Sequence, residues 1–143
     1  MTFIKLGKED VDLIVKINSQ GFSDGWSAQM LSDSFVKGGL KAVALKVEEN
    51  FVGVITYTQV LDSADIEGVC VIKGERKKGY GKALIRFVEG ELKREGVKQI
   101  LLEVRESNES ARALYNACGF SNLSVRKNYY DNGENAVIMI KEL

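Results

Sequence analysis

The order of elements readable in this sequence is β-α-α-β-β-β-α-β-α-β-β. It predicts a mixed, mostly antiparallel sheet of about seven strands with about four helices on its faces, an α/β or α+β domain. Three observations carry this. Consecutive strand-like runs between residues 40 and 72 suit an antiparallel meander. The strand, helix and strand from 65 to 104 suit a parallel crossover. Two helical patterns precede the meander, and a further helix and two strands follow the crossover.

"FIKL" (3–6) is a short strand. "KEDVDLIVKINSQG" spaces Val11, Ile14, Val15 and Ile17 as one helical face, with Gly21 just past its end. "SAQMLSDSFVKGG" has Ser27 as N-cap, Met30, Leu31, Ser34 and Phe35 on one face, and Gly38-Gly39 as a stop. "LKAVALKV" (40–47) and "FVGVITYTQVL" (51–61) flank "EEN" as a hairpin. "DIEGVCVI" (65–72) is a strand whose internal Gly68 marks a bulge or a close backbone approach. A helix then runs to about Glu95 and stops at Gly96, burying Tyr80, Leu84, Phe87, Val88 and Leu92. "QILLEVRE" (99–106) is an apolar, buried strand. "NESARALYNACGF" is a helix between Asn108 and Gly119, and "LSVRKNYY" and "AVIMIKEL" are the last strands, joined by the turn-rich "DNGEN".

The 143 residues suffice for one domain, 1–143, with its own core. Lys plus Arg equals Asp plus Glu, 20 of each, so no general basic excess exists to grip nucleic acid or an acidic membrane. No apolar run approaches the roughly 20 residues of a membrane span. Cys70 and Cys118 are too few for a secreted disulfide scaffold, which favours the cytoplasm, and both read as small core residues. There is no histidine, so the usual Ser-His-Asp and zinc arrangements are excluded and no metal is expected. Proton chemistry would fall to Asp, Glu, Tyr, Lys, Cys, a terminus or water.

The stretch "ERKKGYGKALI" (75–85) sets Arg76, Lys77 and Lys78 before Gly79-Tyr80-Gly81 and a helix. A helix N-terminus offers unpaired N–H groups and partial positive charge, and Gly79 and Gly81 would let a phosphate come close to the backbone. Neither the full GxGxxG nor the Walker pattern is present. By spacing alone the stretch is either a basic turn or a phosphate cradle.

The same stretch resembles the Arg/Gln-x-x-Gly-x-Gly pyrophosphate loop of the GNAT superfamily of N-acetyltransferases, which use acetyl-coenzyme A. The leading strand "DIEGVCVI", the following "ILLEVRESN", the helix "SARALYNACGF" and the tail "RKNYYDNGENAVIMIKEL" match that superfamily in order. Within it, "LEVRESNESARALYNACGF" and "RKNYY" look most like the bacterial ribosomal-protein alanine N-acetyltransferases. "GFSDGWSAQM" is similar to their Phe-Pro-Trp-Ser segment, with Asp24-Gly25 before Trp26 and no proline. The resemblance implies a central parallel pair of strands that splay apart. It implies acetyl transfer from acetyl-CoA to a primary amine, a protein N-terminus above all, with a ribosomal protein, a small amine, an amino acid or a lysine side chain as acceptors. A coenzyme A-binding module without turnover is the alternative of another class. A monomer or homodimer is expected.

Site residues follow from the same resemblance. Arg76, Lys77, Lys78, Gly79, Tyr80, Gly81 and Lys82 would hold the cofactor's diphosphate; Val69, Cys70, Val71 and Asn108 would hold its pantetheine arm and thioester. Trp26, Tyr129 and Tyr130 would line the acceptor slot. Tyr115, by its spacing a core aromatic, would protonate the departing thiolate. Glu103 lies in an otherwise apolar strand, where a carboxylate is costly unless satisfied or used. Alternation could instead turn it to solvent or pair it with Arg105 or a lysine. The resemblance makes it the general base, with Asp65 and Glu67 as rivals.

Overall fold

The computed structural model describes residues 1–21 and 27–143. Among them, strands β1 (Thr2–Leu6), β2 (Lys41–Val47), β3 (Asn50–Val60), β4 (Ser63–Val71), β5 (Gln99–Arg105), β6 (Ser121–Arg126) and β7 (Ala136–Glu142) join one sheet in the order β1-β2-β3-β4-β5-β7-β6. Every neighbouring pair is antiparallel except β4 and β5, which are parallel. The helices are α1 (Val11–Gly21), α2 (Ala28–Lys37), α3 (Tyr80–Arg94) and α4 (Glu109–Ala117). A 3-10 turn, Lys8–Asp10, leads into α1 where the sequence predicts an unbroken helix.

Strand alternation divides the core between the two faces. Ala42, Val54 and Cys70 meet Ile14, Ile17 and Leu31 of α1 and α2. Val43, Ile55, Ile66, Ile100 and Leu102 meet Leu84, Ile85, Val88 and Leu92 of α3. Each fully buried aliphatic side chain of this layer contributes about 1.5–3 kcal/mol. Phe87 stacks on Phe3 of β1, ring centroids 4.5 Å apart, and so ties α3 to the sheet edge.

The expected helix signals act as predicted. Ser27 Oγ accepts the Met30 N–H at 3.2 Å, and Asn108 Oδ1 accepts the Ala111 N–H at 3.2 Å. Gly96 and Gly119 follow α3 and α4 with φ of 82° and 95°, conformations that favour glycine. Three boundaries differ. Gly21 is the last described residue of α1 and not a residue beyond its end. β4 begins at Ser63, because Leu61 adopts φ 56° and closes a tight turn directly after β3. The strand expected over 123–130 spans Ser121–Arg126 instead, because Asn128 takes φ 54° and turns the chain. Tyr129 and Tyr130 therefore stand beyond the strand.

The central feature is the bulge at Glu67. Thr56 pairs with Gly68 and Tyr57 with Ile66, so Glu67 is the extra residue on β4. The parallel pairing of β4 with β5 runs from Ser63 opposite Gln99 to Ile66 opposite Leu102 and ends there. Beyond it, β4 continues on β3 to Val71 while β5 continues on β7 to Arg105. The two strands part in a V.

Away from this gap, Lys141 Nζ donates to both carboxylate oxygens of Glu89, at 2.9 and 3.0 Å, and to the Cys118 carbonyl at 2.7 Å. One ammonium thus joins β7, α3 and the end of α4. Glu89 is buried, and removing its partner leaves a buried charge unpaired. Lys141→Ala should cost about 3 kcal/mol of unfolding free energy. The double variant Glu89→Leu/Lys141→Met should cost clearly less; urea denaturation of both measures the difference.

Candidate active site

The parting of β4 and β5 leaves backbone groups without a strand partner. The Ile72 N–H bonds the Val52 carbonyl of β3 at 3.0 Å. N–H groups alternate along a strand, so Cys70 also faces β3 while Val69 and Val71 face the gap. The Val71 carbonyl on that side accepts Arg76 Nε at 3.3 Å. The Cys70 side chain points the other way, into the core under α1, where burial pushes its thiol up to about 11. With its side chain in the core and its N–H and carbonyl toward β3, Cys70 offers no polar group to the gap, unlike Val69 and Val71.

After β4 the chain makes the basic turn and enters α3. Gly79 has φ 85°. The first intrahelical bond is from Ala83 N–H to the Gly79 carbonyl at 3.0 Å. The N–H groups of Tyr80, Gly81 and Lys82 therefore have no partner inside the helix and project from its positive end. Gly81 has a packing role that its spacing does not show. A Cβ there would stand 3.1 Å from Leu114 Cδ2, so Gly81 lets α3 and α4 pack closely. The cations are also partly committed. Arg76 Nη2 donates to the Gly21 carbonyl of α1 at 2.6 Å, and Lys78 pairs with Glu75 at 2.7 Å. Arg76 braces the loop against α1.

Two clefts open on this region. One, of about 570 Å³, is lined by Val69, Val71, Arg76, Lys77, Gly79–Lys82 and the α4 face from Ser110 to Tyr115. The other, of about 750 Å³, is lined by Asn18, Thr56, Glu67, Gly68, Glu103, Arg105, Asn108, Tyr130 and Asp131, among others. Val69, Ala111 and Tyr115 belong to both. Tyr115 is buried, edge-on to Phe120 with centroids 5.9 Å apart. Burial, with Cys118 and Tyr130 adding, pushes its phenol up to about 12.

The second cleft carries the carboxylates. Glu103 is not buried as its apolar strand suggests. Its neighbours Leu102 and Val104 face α3, so alternation turns Glu103 to the open side, where it pairs with Arg126 at 3.3 Å and accepts from the Tyr129 phenol. Burial raises the Glu67 carboxyl; repulsion from Asp65 and Glu103 adds to this, and a 3.1 Å hydrogen bond from Thr58 Oγ1 opposes it. Asp65 is raised by burial and by Glu103, but does not line the cleft. Asn108 lines it and also caps α4. Trp26 lies outside the described residues.

The match of the acetyltransferase (GNAT) family model to residues 11–120 decides the family. The chain belongs to the GNAT family. It is thus an acetyl-CoA-dependent N-acetyltransferase. It is 35% identical over 136 residues to the [ribosomal protein bS18]-alanine N-acetyltransferase of Haemophilus influenzae, covering 91% of this chain and 90% of that protein. The Escherichia coli K12 protein of that name is 41% identical over 83 residues, 56% of each chain. The crystal structure of the ribosomal-protein-S18-alanine N-acetyltransferase from Escherichia coli superposes with a TM-score of 0.89 at 28% identity, over 99% of this chain and 92% of that one. The splayed pair expected of a GNAT sheet is present.

Several residues around the clefts carry no signal in the sequence. Arg126 reaches Glu103 from β6, and Arg105 lies 4.0 Å over the Tyr130 ring. Glu134 takes hydrogen bonds from the Ser107 hydroxyl, the Ser107 N–H and Arg105, which hold its carboxyl down at about 2. Only the alternation of β5 hinted that Arg105 shares a face with Glu103.

The Tyr115 shift has a direct test. Its contribution to stability is full below the ordinary phenol value of about 10 and is lost as pH rises toward about 12. Alkaline difference absorbance between wild type and Tyr115→Phe should show this tyrosinate forming near pH 12, after an exposed phenol would ionise.

Proposed function

We propose that residues 1–143 act as one cytoplasmic acetyltransferase domain. It moves an acetyl group from acetyl-CoA to the N-terminal α-amine of a protein, the alanine terminus of a bS18-type ribosomal protein being the leading acceptor. The observation that carries this reading is the meeting of two clefts at Val69, Ala111 and Tyr115. One cleft would take the acyl donor and the other the amine, and the reaction would occur where they touch. The 35% identity over 91% of the chain to a bS18-alanine N-acetyltransferase supports the acceptor class.

The donor fits the first cleft by its chemistry. The unpartnered N–H groups of Tyr80, Gly81 and Lys82 and the left-handed Gly79 suit a diphosphate, with Lys77 and Lys78 adding positive charge. Arg76 holds the loop in shape. The N–H groups of Val69 and Val71 replace the missing strand pairing by bonding the pantetheine amides and the thioester oxygen, where negative charge develops. Asn108 lines the second cleft and caps α4 beside Ala111, so it would meet the pantetheine arm only where the two clefts join. Acetyl-CoA supplies an acyl group already activated as a thioester.

On the acceptor side, Glu103 removes a proton from the incoming ammonium, directly or through water. Glu67 across the cleft keeps the local field negative. Tyr115, like any phenol protonated at physiological pH and more firmly so with its pKa pushed up to about 12, carries a proton for the leaving sulfur. Tyr129 and Tyr130 bound the slot for the peptide.

The test is thiol release from acetyl-CoA with peptides beginning in Ala or Ser, with lysine peptides and with small amines. Release with the Ala peptide supports the reading; release with small amines alone replaces it, and binding without release makes the chain a coenzyme A-binding module. Tyr115→Phe should lower kcat by about 10²-fold or more with donor affinity unchanged. Glu103→Gln should lower kcat by about 10²-fold and Glu67→Gln by less. The opposite ranking of the two glutamates transfers the base role to Glu67.

A further inference from the structure

Glu134 lines neither cleft, yet its carboxylate is the point on which two segments converge. It accepts the Ser107 N–H at 3.0 Å, the Ser107 hydroxyl, and Arg105 Nη1 at 3.2 Å. Arg105 in turn lies over the Tyr130 ring. The main chain of Glu134 closes the turn that carries Tyr130: its carbonyl accepts the Tyr130 N–H at 3.1 Å, and its N–H bonds Asn132 Oδ1 at 3.0 Å. The next residue repeats the pattern, with the Asn135 carbonyl accepting the Glu106 N–H at 3.0 Å and Asn135 Oδ1 accepting the Asn128 N–H at 3.0 Å.

We infer that Glu134 is a positioning residue whose carboxylate fastens the 128–135 loop to the turn before α4 and thereby fixes Tyr130 in the wall of the acceptor cleft. The loop is built from Asn, Asp, Glu, Gly and Tyr, and has no aliphatic side chain of its own to bury. Its place must come from bonds across the chain, and those to Ser107 and Arg105 span 27 and 29 residues. They are charge-assisted, the stronger kind of hydrogen bond. Ser107 directly precedes Asn108, the cap of α4. The helix that presents Tyr115 and the loop that presents Tyr130 therefore share one anchor. The inference rests on reading the second cleft as the acceptor's.

Two measurements on Glu134→Ala test it. Amide hydrogen exchange of the free protein should speed up on the order of tenfold at Tyr130, Gly133 and Ser107, where bonds are lost or loosened. KM for an Ala-starting hexapeptide should rise on the order of tenfold while kcat and the acetyl-CoA Kd stay within about twofold. Ser107→Ala, which removes only one donor, should move both readouts the same way by a smaller factor. Unchanged exchange in both variants overturns the fastening. Faster exchange with unchanged peptide KM, or with KM and acetyl-CoA Kd rising together, overturns the positioning role. Failure of the wild type to acetylate any peptide would sink the acceptor reading instead, and the exchange measurement would still decide the fastening.

Discussion

The site depends on a single interruption of hydrogen bonding, the loss of pairing between β4 and β5 after Ile66 and Leu102. One extra residue at Glu67 bends β4 away, and three consequences follow. The Val69 and Val71 N–H groups become available to a ligand. A wedge opens that α4 fills from one side, with Tyr115 at its apex. The floor divides into two clefts that meet at a few side chains. Backbone polar groups are seldom left unpaired in the interior of a sheet. In the proposed reading, acetyl-CoA would complete the pairing that the strands abandon.

The electrostatics follow from the same geometry. Asp65 and Glu67 on β4 and Glu103 on β5 project on one side of the sheet, close enough for Glu103 to raise both of the others. Arg126 and Arg105 flank the group, each with a carboxylate and a tyrosine ring. In a chain without histidine, the carboxyl groups of Asp65 and Glu67 are pushed upward, chiefly by burial, and burial likewise raises the Tyr115 phenol. The first cleft is the reverse, lined by cations and helix N–H groups. A cleft rich in carboxylates and one rich in positive charge meet at Tyr115.

Much of this was readable in the sequence because its causes are local. Ser27 and Asn108 cap helices, Gly96 and Gly119 end them, and Gly68 marks a bulge, each by the chemistry of one or two neighbours. The family-like spacing of Gly79, Glu103 and Tyr115 pointed to residues that line the two clefts. What was not readable depends on partners far along the chain. The sequence leaves Glu103 open between burial and solvent, and only the fold shows that its partner is Arg126 of β6. Gly81 looks like a phosphate glycine, and only the approach of Leu114 gives its packing role. Arg76 looks like a phosphate ligand, whereas Gly21, 55 positions earlier, takes one of its N–H groups. Glu134 sits in a turn with nothing to mark it.

The strand order has a consequence for how the chain is made. β7 lies between β5 and β6, yet it is synthesised after both. On a ribosome, β6 emerges with no neighbour, and the exposed side of β5 waits for a partner still to be translated. The Glu89–Lys141 bond and the Leu143 N–H to Lys98 carbonyl bond close only at that last step. Until then the nascent chain holds the basic turn, α3 and α4 but lacks the strand that secures β5 and its glutamate. The elements around the first cleft can thus form during translation, while the Glu103 side of the second is secured only after β7 has emerged.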